Sequence, residues 1–324
     1  MWGGKMKFLK LGLLHCLAAV LINPVNAQMS ANPPEVGAKI RAMGTEFNRK
    51  VIGTTMKLYG PLLAKAPKSG VTISLNQSYG SHERNVLDIY QPKVKAKNLP
   101  IIVYFHGGGF VRGDKKTWGN IGIYFARKGV VGIAANYRLA PKSKWPSGPE
   151  DIASVLKWIK KNGTKFGGNP KRIFLMGSSA GTGHVASYVF FEKYQIKNDG
   201  VKGAILVSGP SYDLTVKGKL TAKGALKHPG ERAYFGADGS KYSNMSAIND
   251  IEGRKIPVFI AFAELDMPMV QNQNLSLINA LYKRDKLLPT VKQVLGHNHM
   301  SIVKHINTKD DSLGHDIIEF IKIR

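Results

Sequence analysis

The chain has 324 residues, 43% of them hydrophobic, with one cysteine and a formal net charge of +26 at pH 7. That apolar share is typical of folded globular proteins and excludes a disordered polyelectrolyte, and a lone cysteine excludes a disulfide framework. The lysines are scattered singly and in pairs, with no aromatic-interleaved stripe. This speaks against a nucleic-acid module and leaves a basic, solvated surface with at most a weak attraction to anionic surfaces.

Residues 1–27 carry Lys5, Lys7 and Lys10 without an acid, then an apolar run from Leu11 to Ile22, then Val25-Asn26-Ala27. Basic, apolar and small in that order predicts a cleaved secretory signal and a secreted or periplasmic protein. The run is shorter than the ~20 residues that span a bilayer. Cys16 lies inside it and lacks the small preceding residue of a lipoprotein site. Without the leader the charge is +26 − 3 = +23.

Residues 28–70 read as a helical cap or arm, with Val36, Ile40, Met43 and Phe47 at helical spacing. From 71 to 324 the pattern is that of one catalytic-sized domain. Short β-branched runs at Val71–Leu75, Val86–Tyr90, Ile101–Phe105, Val130–Tyr137, Ile173–Met176, Ala204–Ser208, Val258–Phe262 and Thr290–Leu295 alternate with helical stretches at 117–128, 148–161, 182–194, 268–285 and 311–323. The alternation predicts an α/β fold: a mostly parallel sheet of about eight strands with helices on both faces. In such sheets the chemistry gathers beyond the carboxyl ends of the strands.

Two of those ends carry motifs. Gly177-Ser178-Ser179-Ala180-Gly181 follows an apolar strand and opens a helix. G-x-S-x-G in that context holds its central serine in a tight, strained turn above the sheet, with the helix's positive end aimed at it. Ser179 is the candidate nucleophile and Ser178 its neighbouring competitor. The run Ile101–Phe105 ends in His106-Gly107-Gly108-Gly109-Phe110, where glycines let backbone N–H groups come close to a developing oxyanion.

His-Gly-Gly-Gly-Phe, then Asn136-Tyr137-Arg138-Leu139-Ala140-Pro141, then Gly-Ser-Ser-Ala-Gly resembles the carboxylesterase and hormone-sensitive-lipase-like branch of the α/β hydrolases. The resemblance is strongest over 86–195. It implies the α/β-hydrolase fold, with Gly108, Gly109 and Ala180 as oxyanion donors and His106 as a structural tie of the loop. Arg112-Gly113-Asp114, an adhesion tripeptide by spelling, falls within the continuation of that loop.

The order Ser, acid, His places the base after the last strand, in His297-Asn298-His299. His299 resembles the family's H-x-S ending, and His297 stays open. A metal on the H-x-H pair lacks a local third ligand. The acid follows Val258–Phe262, where Glu264 and Asp266 both stand; Asp266 matches the family's G-E-x-D segment, although Ala263 replaces the glycine. The expectation is a hydrolase of small-molecule esters with short to medium acyl chains, acting through an acyl-enzyme without metal or cofactor. An amidase of formamidase type is the alternative, and a silent binding protein on the same fold a more distant one. Residues 210–250 carry no recognisable signal.

Overall fold

The computed structural model describes residues 32–94 and 96–324, with Met1 and Gly3. Apart from those two residues, the leader expected over 1–27 lies outside the described residues. The strands are β1 (Val71–Ser78), β2 (Val86–Pro92), β3 (Leu99–Phe105), β4 (Val131–Ala135), β5 (Gly168–Ser178), β6 (Val201–Val207), β7 (Val258–Leu265) and β8 (Thr290–Asn298). They form one sheet in the order β1-β2-β4-β3-β5-β6-β7-β8. Strand β2 runs antiparallel to both neighbours, and every pairing from β4 to β8 is parallel.

The α-helices among the described residues are α1 (Pro34–Ala42), α2 (Arg49–Ala64), α3 (Gly119–Arg127), α4 (Ser147–Asn162), α5 (Ala180–Phe190), α6 (Pro229–Phe235), α7 (Pro268–Asp285), α8 (Ser301–Lys304) and α9 (Ser312–Lys322). The sheet's side-chain period of two splits the core between its faces. Ile101, Val103 and Phe105 of β3 pack with Leu156 of α4, Val185 of α5 and Leu277 of α7. Ile102 and Tyr104 point the other way, into a cluster with Phe125 of α3, Ile302 of α8 and Ile317 of α9. Both faces are covered, so the central strands are continuously apolar.

The arm is two helices, and Phe47 falls between them. Gly44 at φ +57 and the N-cap Asn48, whose side chain accepts Val51 N–H at 2.9 Å, break the continuous helical spacing expected there. Val36, Ile40 and Tyr59 pack with Leu265 at the end of β7, and Asn298 at the end of β8 donates to Thr55 of α2 at 3.0 Å. The arm is thereby held over the carboxyl edge of the sheet. Strand β4 stops earlier than expected because its sequel is used elsewhere: Asn136 accepts Lys115 N–H at 2.7 Å and Tyr137 donates its hydroxyl to His106 O at 2.7 Å.

Candidate active site

Ser179 stands between β5 and α5 at φ 51°, ψ −124°, a region that costs a side-chain-bearing residue about 1–3 kcal/mol. Its neighbours make that geometry possible. A Cβ on Gly177 would lie 2.5 Å from Gly181 O, and one on Gly181 would lie 2.2 Å from Phe105 O. The turn is pinned by Ser179 N–H donating to Val207 O of β6 at 2.9 Å.

The Ser179 hydroxyl lies 2.9 Å from His299 Nε2, and His299 Nδ1 lies 2.6 Å from Asp266 Oδ1. A carboxylate only accepts, so Nδ1 carries the proton and the Nε2 lone pair faces the serine hydroxyl. Asp266 is fully buried, and its second oxygen accepts Ser208 Oγ–H at 2.5 Å and Ala263 N–H at 2.7 Å. Three donors hold the carboxylate in place beneath the imidazole.

The competing candidates point elsewhere. Ser178 shares a 2.6 Å hydrogen bond with Tyr104 OH. Glu264 accepts Gly296 N–H at 2.6 Å and so shapes the loop that carries the histidines. His297 turns inward to Asp310 and Ser301, each at 3.1 Å.

The glycine loop lies against the serine. A Cβ on Gly107 would sit 2.8 Å from Ser179 Cβ, and one on Gly108, at φ +136, would sit 2.0 Å from Arg112 O. The N–H groups of Gly108, Gly109 and Ala180 donate to no acceptor among the described residues. His106 is buried, its Nδ1 lies 2.7 Å from Gly107 O, and its ring stacks on Tyr137 at 4.5 Å. Burial pushes its pKa down to about 4, so it is neutral at pH 7. Arg112-Gly113-Asp114 is folded into this loop: Gly113, at φ +112, has no room for a Cβ beside His106, and Asp114 caps the next turn by accepting Lys116 N–H at 3.0 Å.

The serine, the histidine and the loop open on a cavity of about 780 Å³. Much of its wall is apolar, and Phe47, Ile52 and Met56 from the arm contribute to it.

A family model described as BD-FAE matches residues 87–281. The chain belongs to that family. This BD-FAE protein has the α/β-hydrolase fold, and its motifs resemble those of the hormone-sensitive-lipase-like carboxylesterase group. It is 39% identical over 98 residues to carboxylesterase NlhH of Mycobacterium tuberculosis, a match covering 29% of this chain and 30% of that one. It is 26% identical to kynurenine formamidase of Salmo salar over 235 residues, 72% of this chain and 76% of that one. Esterase B from Lactobacillus rhamnosis has the same fold, with a TM-score of 0.70 at 17% identity over 89% of this chain and 95% of that one.

Within this BD-FAE chain, His297, His305 and Asp310 bring their ligand atoms within 4.8 Å of one another. His305, however, uses Nδ1 on Ser301 O at 3.1 Å and receives Leu313 N–H on Nε2 at 3.3 Å. With both nitrogens committed it has no lone pair for a metal, and the trio reads as an internal hydrogen-bond network. Sequence reasoning did not single out Ser208, which steadies the acid, or Lys219, His228 and Glu231, which line the cavity. Their segment has neither periodicity nor motif, and only the buried ion pair they form would have marked it.

Proposed function

We propose that the protein is a serine-dependent hydrolase of carboxylic esters. The observation that carries this reading is the hydrogen-bonded chain Ser179–His299–Asp266, set beside three uncommitted backbone N–H groups at the floor of an apolar cavity. His299 takes the hydroxyl proton as Ser179 Oγ bonds to the ester carbonyl carbon. Asp266 holds the imidazole tautomer and stabilises the imidazolium. The carbonyl oxygen, now an anion, takes the N–H groups of Gly108, Gly109 and Ala180. His299 then passes its proton to the departing alkoxide, leaving an acyl-serine, and a water activated by His299 releases the acid. None of these steps calls on a metal or cofactor.

The acyl chains we propose for it are short to medium in length. A panel of aryl esters from acetyl to palmitoyl tests this: turnover should peak below the long chains, and no turnover on any member would overturn the reading. The long match to the formamidase of Salmo salar supports a second reading, cleavage of activated amides by the same groups. One acyl group offered as ester and as amide separates the two. The order of basic, apolar and small residues over 1–27 supports export from the cytoplasm, and the charge of the remaining chain supports weak attraction to anionic surfaces.

A further inference from the structure

At one end of the cavity, beyond the oxyanion loop, the wall is polar. Lys219 and Glu231 form an ion pair there, their side chains only 3% and 7% exposed. Glu231 Oε1 also accepts Ser211 Oγ–H at 2.5 Å, and Lys219 also donates to Pro210 O at 2.5 Å. These contacts use two of the three ammonium protons, and Oε2 of Glu231 receives nothing from the described residues. His228 caps α6, its Nδ1 accepting Glu231 N–H at 3.2 Å. Burial first, then the Lys219 and Arg112 cations, hold its pKa below the usual histidine range against the opposing pull of Glu231. The ring is therefore neutral, and with Nδ1 accepting, the proton sits on Nε2, which has no acceptor among the described residues.

This polar end is built against the oxyanion loop. A Cβ on Gly109 would lie 3.1 Å from His228 Cε1, and one on Gly230 would lie 2.1 Å from Gly109 O. An apolar wall would serve a plain alkyl ester, and replacing a buried ion pair by apolar groups is often neutral or stabilising. Here the ion pair opens on the cavity with two donors and one acceptor left over. A carboxylate would meet Glu231 with its own charge, and an ammonium would meet Lys219 and the His228 N–H. A hydroxyl fits, accepting from the His228 Nε2–H, beside the third Lys219 proton, and donating to Glu231 Oε2.

We propose that Lys219, His228 and Glu231 form a subsite selecting esters that carry an aliphatic hydroxyl a few bonds from the scissile carbonyl. The proposal rests on the reading of Ser179 as an ester-cleaving nucleophile. Isosteric pairs test it in two arms: para-nitrophenyl β-hydroxybutyrate against isovalerate places the hydroxyl on the acyl side, and hydroxyethyl against propyl butyrate places it on the alcohol side. One satisfied hydrogen bond corresponds to about a tenfold preference in kcat/KM, expected in one arm. His228→Asn keeps an acceptor at the helix cap but loses the Nε2–H, so it should cut that ratio about fivefold. Ratios near one in both arms, with the plain esters turned over, overturn the subsite and leave the esterase reading standing. So does a preference that survives in a folded His228→Asn protein. If that variant does not fold, the wild-type ratios decide. If even the plain esters are inert, the esterase reading falls and the subsite with it.

Discussion

Phe47 meets the ring of His299 edge-on, with centroids 4.8 Å apart and planes at 74°. The contact joins the linker between α1 and α2 to the imidazole that faces Ser179, so the arm braces that ring. Edge-to-face pairs contribute about 0.5–1.5 kcal/mol beyond burial. Phe47→Ala should therefore lower kcat/KM roughly 3- to 10-fold while leaving the melting temperature nearly unchanged, because Phe47 is only partly buried. A steady-state assay with a thermal melt checks both, and a variant as active as the wild type would mean that the arm does not steady the base.

The serines and the histidines form two matched pairs of variants. Ser179→Ala should abolish aryl-ester turnover and labelling by a fluorophosphonate. Ser178→Ala should keep the label and lose about 1 kcal/mol of stability with its Tyr104 hydrogen bond. His299→Ala should leave only the residual ~10³–10⁴-fold catalysis supplied by binding and the oxyanion loop. His297→Ala should act on stability first, because its ring hydrogen-bonds the buried Ser301 and Asp310. Label retained by the Ser179 variant, or a dead but well-folded His297 variant, would contradict the geometry.

The architecture was legible because β-branched runs and amphipathic stretches alternate with little interruption, and each of the eight runs lies in or overlaps a strand. The residues that the structure brings together were legible for a different reason: Ser179 and His299 each sit in a short pattern just past a strand. Asp266 was harder. Glu264 and Asp266 differ only in which one turns under the sheet edge, and that depends on the Ser208 hydroxyl 58 positions earlier in the chain. The break of the arm at Gly44 and Asn48 was readable in principle as a stop and a cap, but the apolar spacing through Phe47 masked it. Segment 210–235 was illegible because its conformation is set by the contacts of Lys219, Glu231 and Ser211, residues unremarkable in isolation.

Buried histidines work against stability in acid. Burial holds His106 down to about 4, and His184 and His305 down to about 3. The unfolded chain binds these protons near the ordinary value of about 6.5. Stability contributed by the neutral rings is therefore present above that pH and is lost as pH falls toward 4. The loss is on the order of 3 kcal/mol per histidine at pH 4. Urea unfolding between pH 7 and 4 should show the slope of stability against pH approaching three protons; a slope below one proton would mean that these rings are protonated in the fold.

The glycine loop yields the sharpest contrast, because its two candidate donors tolerate a methyl group differently. On Gly108 a Cβ would lie 2.0 Å from the backbone oxygen of Arg112, at φ +136, where neither the loop nor a side-chain-bearing residue can adapt. Gly108→Ala should lose activity and stability together. On Gly109, at φ +60, the methyl meets only the ring edge of His228 at 3.1 Å, so the neighbour can shift by a few tenths of an ångström. The left-handed backbone adds about 1–2 kcal/mol of strain, so the Gly109→Ala melting temperature should drop slightly. Its turnover should fall by up to ~10²–10³, the usual effect of one misplaced oxyanion donor. A small fluorophosphonate should still label Ser179, if slowly. Wild-type turnover in Gly109→Ala would show that this N–H is not near the reacting carbonyl. The donors would then have to be sought at Gly108 and at Gly107, where an added Cβ would lie 2.8 Å from Ser179 Cβ.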